Sequence, residues 1–209
     1  MTRVGWLGRR MRAVPSLVTP PTLGLVGVLL IVWRDESWWA RLSLATGYGA
    51  AVLLVATLLV TPVYRAAVHR PPPVHLPLRR SLGVHAGVLA LTHVAVSFPV
   101  HLGGDVVRFF FTNELTPLVT RFGVANWVGA VATAGLVVLL VTSTDRALRR
   151  LGATRWRRLH RLVHPVALLV LVHAVTYQNL RGASPVLIAV VLVTAAALVA
   201  GRRLRTTSW

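Results

Sequence analysis

The chain is a succession of apolar runs, several of them near or above the roughly 18–20 residues that span a bilayer, separated by short connections. Of its 209 residues 55% are hydrophobic and only 13% charged, against about 25% charged in a soluble domain. The mean hydropathy is +0.67. These values predict an all-α integral membrane protein with six transmembrane helices: Leu17–Trp33, Leu42–Thr61, Ser81–Phe98, Val124–Thr142, Leu159–Gln178 and Pro185–Ala200. Pro20 and Pro21 interrupt the first of them. Arg3, Arg9, Arg10 and Arg12 precede that run in the manner of a signal peptide, but no small-residue cleavage site follows, so it reads as a retained first helix or anchor. The organisation is then a basic N-terminus over 1–16, a six-helix membrane domain over 17–201 and a basic tail over 202–209.

Charge orients these spans. The net charge is +18 and the chain contains no lysine. On a soluble surface such charge would suit nucleic acid. Here the arginines lie between apolar runs, a pattern that fits topology and anionic lipid headgroups, not nucleic acid. The N-terminus, Arg65–Arg80, Arg146–Arg158 and Arg202–Arg205 are strongly basic, whereas Arg34–Arg41 and His101–Arg121 hold Asp35, Glu36, Asp105 and Glu114, four of the five acidic residues. The positive-inside rule places both termini of this multi-pass protein in the cytoplasm. The external connection His101–Arg121, with its RFFFTNEL, suggests an interfacial helix. PPPVHLP at Pro71–Pro77 reads as a stiff cytoplasmic turn with a solvated His75.

There are no cysteines, which excludes disulfides, iron–sulfur clusters, thiolate haem ligation and covalent c-type attachment. Redox chemistry must use a cofactor held by other side chains. Five of the eight histidines fall in two spans: His85 and His93 on the third, and His160, His164 and His173 on the fifth. Ionisable groups in a membrane are costly and face partners in the protein interior. His93 lies 13 residues beyond Arg80, and His173 lies 13 beyond His160. At about 1.5 Å per residue, each is roughly 20 Å from the cytoplasmic end. One neutral imidazole from each of two helices at one level is the donor set for bis-histidine haem ligation. Zinc asks for four ligands, and no cysteine or carboxylate stands nearby.

The same spacing fits an inner haem at His160, since two stacked haems need irons about 20 Å apart, as 13 residues supply. The rotation fits less well. Thirteen residues turn a helix by about 220°, so His160 and His173 share a face only if Pro165 kinks the helix. His164 is one turn from His160, and His85 is nearly level with His164. That pairing would set two haems only about 12–13 Å apart. Opposite His160, the residue at the matching level is Arg80, a partner for haem propionates.

The stretches GYGAAVLLVATLLVTPVYR (47–65), RRSLGVHAGVLALTH (79–93), STDRALRRLGATRWRRLHRLVH (143–164) and LLVLVH (168–173) resemble the ferric reductase-like transmembrane family, and within it the haem-binding membrane subunits of methionine sulfoxide reductase systems. The resemblance covers about half the chain. It implies a six-helix b-type cytochrome with one or two haems b, in which His93, His160 and His173 are haem-linked metal ligands and Arg79 and Arg80 lie near the inner haem. His85 and His164 depart from the family pattern as additional candidates. It further implies electrons from a cytoplasmic donor, either a flavin reductase with FMN or a quinol. The acceptor would be a periplasmic oxidoreductase, a molybdenum-containing methionine sulfoxide reductase, which performs the substrate chemistry. The chain would then be an electron-transfer subunit with no catalytic residue of its own. GYGAA, at the start of a span, is no dinucleotide fingerprint. Two other readings stand beside this one: a stand-alone reductase of ferric chelates or oxygen, and a haem-free proton or ion pathway along the histidines.

Overall fold

The computed structural model of the protein describes residues 3–67 and 75–178, together with 193 and 196. Apart from 193 and 196, the expected sixth span lies outside them, as do the C-terminal tail and the first four residues of PPPVHLP. Six helices make up the described residues: α1 (Arg3–Val32), α2 (Trp38–Ala67), α3 (His75–Ser97), α4 (Arg121–Val141), α5 (Asp145–His160) and α6 (Val163–Gln178). Three of them, over Trp38–Tyr64, Leu76–Val100 and Arg121–Val141, are long and apolar enough to cross a membrane, and α5 with α6 forms a bent pair that passes the same test. Leu17–Val32 is a shorter apolar helix. The chain is thus a multi-pass helical membrane protein.

Packing explains the arrangement. α2 and α3 pair most extensively, as do α4 and α6. Ala50, Leu53, Leu54 and Leu58 of α2 meet Ala86 and Ala90 of α3, Leu136 and Leu139 of α4, and Val166 and Ala167 of α6 in one apolar core. Large apolar side chains also point outward, among them Ile31, Val131, Val141 and Leu168. In water such a surface would drive aggregation, whereas in a bilayer it faces lipid tails. Because lipid removes the hydrophobic drive between helices, association rests on close packing at small residues. A Cβ on Gly135 would come within 2.5 Å of Val166 Cγ2, so only glycine permits that approach of α4 to α6.

Three sequence expectations change. First, α1 runs continuously through Pro20 and Pro21. A helix in hydrocarbon has no water to satisfy carbonyls freed by fraying, so it tolerates proline rather than ending there. Second, the expected span Leu159–Gln178 is broken. α5 ends at His160, the chain turns at Arg161 and Leu162, and α6 begins at Val163, bent by 42° from α5. The cause is charge, since Arg155, Arg157, Arg158 and Arg161 are all exposed and cannot enter hydrocarbon cheaply. α5 is instead two short helical stretches joined at Gly152, whose φ of 72° and ψ of 156° are non-helical: Thr144 caps the first by accepting from the Ala147 N–H at 3.1 Å, with Asp145 in its first turn, and Arg157 and Arg158 sit in the last turn of the second. Asp145 and the two arginines each complement the dipole of the stretch that carries them. Pro165 occupies the first turn of α6, where a missing N–H costs nothing. The break lies before it, not at it.

Third, His101–Arg121 forms no long interfacial helix. After a 3-10 turn at Phe98–Val100, it folds as short 3-10 turns at Leu102–Gly104 and Val107–Phe109, followed by a bridge between Phe111 and Pro117. This cap closes one end of the helix bundle. The opposite end, which carries α5 and the start of α3, is the basic end.

Candidate functional site

Beneath the cap, α2, α3, α4 and α6 line a cavity of about 510 Å³. Its walls are built from small residues, including Gly47, Ala50, Ala86, Ala90, Gly129 and Ala130. Small side chains on four neighbouring helices leave space where larger ones would interlock. His93 on α3 and His173 on α6 face each other across this space, with ring centroids 6.3 Å apart and ring planes at 73°.

Hydrogen bonding settles which nitrogen of each ring is available. His93 Nδ1 is 2.8 Å from the Ser43 carbonyl oxygen, and His173 Nδ1 is 2.8 Å from the Ala125 carbonyl oxygen. A carbonyl only accepts, so each Nδ1 carries the hydrogen. In a neutral ring Nε2 then keeps its lone pair. Anchoring of the remote ring N–H by a backbone carbonyl is the usual support of a metal-bound histidine. The separation tests the fit. Two nitrogen–metal bonds of about 2.0 Å plus the two half-rings sum to about 6 Å between centroids, which the observed 6.3 Å matches. Among the described residues no three His, Asp or Glu side chains converge, so the donor set is two imidazoles in an apolar slot. That set suits a planar macrocycle needing two axial ligands and falls short of zinc's four.

The cap seals the slot with rings. Phe98, Phe109 and Tyr177 line it, and Phe98 and Phe109 meet edge to face at 5.0 Å. Tyr177, one turn beyond His173, lies 5.6 Å from that ring and 5.7 Å from His101. Asn126 Nδ2 donates to the Phe109 carbonyl at 3.0 Å and ties the cap to α4. Sequence reasoning missed these residues. The i+4 spacing from His173 to Tyr177 was a usable signal, whereas the pairing of Asn126 with Phe109 had none.

The other candidates lie outside the described lining of the cavity, toward the basic end. His160 Nε2 is 3.2 Å from Thr142 Oγ1, and its ring stacks on Trp156 at 3.9 Å. Trp156 Nε1 donates to the Thr142 carbonyl at 2.9 Å. Arg80 donates to the Ser143 carbonyl and to Asp145. The end of α4 is thus held by α3 and α5 together. Arg79 is on the same turn of α3 as Arg80, and His164 is in the first turn of α6. His85 Nδ1 donates to the Ser81 carbonyl at 2.8 Å, and its Nε2 lies 3.0 Å from Thr19 Oγ1, so this ring links α3 to α1. Since α5 and α6 are separate helices, the rise and rotation reckoned along one continuous helix from His160 to His173 do not apply.

Asp145, at the surface beside the apolar spans, titrates below the usual carboxylate range. The hydrogen bond from Arg80 is the main cause; slight burial opposes it, and the charges of Arg80 and Arg149 add to it. A carboxylate with a lowered pKa stabilises the fold above its unfolded value, and that contribution is lost as pH falls through the lowered one. Thermal melting of the purified protein should therefore show an acid-side loss of stability below about pH 4 that is absent in Asp145→Asn. Identical pH profiles for the two proteins would contradict it.

Comparison with known proteins places these residues in context. The family described as ferric reductase like transmembrane component matches residues 46–172, which take in α3 with His93 and end one residue before His173. The protein-methionine-sulfoxide reductase heme-binding subunit MsrQ of Pectobacterium carotovorum subsp. carotovorum (strain PC1) is 30% identical over 176 residues, 80% of this chain and 83% of that protein. The protein of the same name from Yersinia enterocolitica is 30% identical over 185 residues, 86% of each chain. That of Xanthomonas axonopodis pv. citri is 33% identical over 174 residues, 76% of this chain and 75% of that protein. A family match over more than half the chain, joined to relatives aligned along most of their length, means that this chain belongs to the ferric reductase like transmembrane component family.

Proposed function

We propose that His93 and His173 would hold a haem b through their Nε2 nitrogens, and that the protein is the membrane electron-transfer subunit of an oxidoreductase system. The observation that carries this reading is the facing pair of imidazoles at 6.3 Å, each with Nδ1 engaged by a helix carbonyl. Bound there, a haem supplies one-electron chemistry. The chain's own residues do the rest. His93 and His173 hold ligand nitrogens at fixed separation, the alanine and glycine walls provide a flat apolar slot, and Phe98, Phe109 and Tyr177 exclude water from the cap end.

The relatives are named as subunits of protein-methionine-sulfoxide reductase, so the acceptor is a partner reductase, on this reading a periplasmic molybdenum enzyme. On this reading, which the arginine distribution supports, the basic end and both termini face the cytoplasm and the cap faces the periplasmic side of the bacterial inner membrane. Electrons enter from a cytoplasmic flavin or quinol donor at the basic end. His160, with its Trp156 and Thr142 contacts, serves in this reading as a structural tie between α5 and α4, so a single haem is expected at the His93/His173 level. The test is the absorption spectrum and haem content of the purified full chain. The expected result is a reduced b-type band with one haem per chain. A colourless protein from haem-sufficient cells would refute the reading, and two haems per chain would restore His160 as an inner ligand.

A further inference from the structure

The haem reading names two ligands, but it does not say why their rings stand where they do. Both lie on the backbone of the neighbouring helix at a glycine. On α2, a Cβ built at Gly47 would fall 2.8 Å from His93 Nδ1 and 3.0 Å from its Cε1. On α4, a Cβ at Gly129 would fall 2.7 Å from His173 Nδ1 and 2.9 Å from its Cε1. Real side-chain contacts do not come that close, so any residue with a Cβ would displace the ring. In each case the carbonyl that accepts the ring N–H belongs to the residue four positions earlier, Ser43 before Gly47 and Ala125 before Gly129. The carbonyl and the glycine are therefore stacked on one face of the helix. The same device appears twice, once in the α2/α3 pair and once in the α4/α6 pair.

We infer that Gly47 and Gly129 are the positioning residues of the site: each opens a seat on a helix backbone in which the opposing imidazole is forced to place its N–H on a carbonyl, which presents Nε2 to the metal. This rests on the haem reading for the identity of the ligand and not for the seat itself. Among the described residues the proton inventory around His93 is closed. The Ser97 hydroxyl donates to the His93 carbonyl, and the Ser43 hydroxyl, 3.3 Å from Ser97 Oγ, donates to it. Ser43 Oγ can then only accept from His93 Nδ1, at 3.4 Å, a poorer contact than the 2.8 Å carbonyl bond. Among the described residues no donor is left to protonate the arrangement in the opposite sense. His173 has the Ala125 carbonyl in the same role. The two seats thus agree on the tautomer, while the His93 seat adds a hydroxyl pair.

Nitrogen NMR of the full chain, labelled with 15N at histidine and held in lipid nanodiscs, reads the tautomer of each ring directly. It can be recorded both without haem and in the reduced, diamagnetic haem-bound form. The expected wild-type result is a proton on Nδ1 of both His93 and His173. Gly47→Ala should abolish the Nδ1–H signal of His93 alone, and Gly129→Ala that of His173 alone. Gly83→Ala, whose new Cβ meets only Thr57 at 3.6 Å, should change neither ring. Ser43→Ala should keep Nδ1–H on His93, because the main-chain carbonyl remains. Alanine favours helix over glycine, so loss of fold is not the expected outcome, and the wild-type tautomers decide the matter even where a variant expresses poorly. A proton on Nε2 of either wild-type ring, or unchanged spectra in both glycine variants, overturns the inference. A protein with both rings protonated at Nδ1 that takes up no haem overturns the haem reading and leaves the two seats standing.

Discussion

His173→Ala and His93→Ala should each abolish low-spin haem in the purified protein. Each ring is one of two donors on opposite walls of the cavity, and among the described residues no third histidine lines it. Loss of a residue that merely supports a metal ligand costs about 10–100-fold in affinity, so loss of a ligand should reduce occupancy at least that much. Any haem that remains should be high-spin. The wild-type spectrum carries its own signature. Ring planes 73° apart predict the strongly anisotropic low-spin electron paramagnetic resonance signal of near-perpendicular axial imidazoles, in place of the rhombic signal of parallel ones. His85→Ala, His160→Ala and His164→Ala should retain the low-spin signal, since none of these rings is among the described residues lining the cavity. Loss of that signal in His160→Ala with His173→Ala unaffected would contradict the assignment.

Ala90→Leu should empty the site without unfolding the protein. Ala90 lies about one turn of α3 before His93 and lines the cavity. In a close-packed core, extra methylenes cost about 1–3 kcal/mol in strain. Here the added atoms have about 510 Å³ of unfilled space to enter. Haem content should fall at least tenfold while helix content and melting temperature stay near wild type. Leu58→Ala provides the opposite case. Leu58 is 7% exposed in the core below the cavity, so its truncation should destabilise the helix bundle, at the low end of the usual penalty, about 2 kcal/mol, because lipid replaces water as the reference. A destabilised Ala90→Leu that still binds haem would show that the slot is not where the cofactor sits. Haem content and a thermal melt, measured on both variants, separate the two outcomes.

Much of this architecture was legible before any coordinates. Arg80 and His93 are 13 residues apart on one unbroken helix, so the helical rise reckoned between them applies along α3. It failed between His160 and His173, where the same 13 residues cross a turn at Arg161 and Leu162. Hydropathy counts residues over a window and is insensitive to a two-residue break. The arginines that cause the break were visible, but as a topology signal and not as an interruption. The first span shows the converse: Pro20 and Pro21 looked like breakers, and the helix continued because hydrocarbon gives its backbone nowhere else to bond.

By itself the sequence determined the membrane class, most of the helices and the two histidines worth pairing. Those properties follow from composition and from rise along a single helix, which are local quantities. Only the tertiary structure decided that His93 and His173 face one another and that His85 turns toward Thr19 on α1. It also decided that His160 is bound up with Trp156 and Thr142. The direction in which a side chain points depends on which helix lies beside it, and on where that helix carries a glycine or an open carbonyl. Ser43 and Gly47 are 50 and 46 residues from His93 along the chain, and one sequence does not record that α2 packs against α3 in the register that joins them.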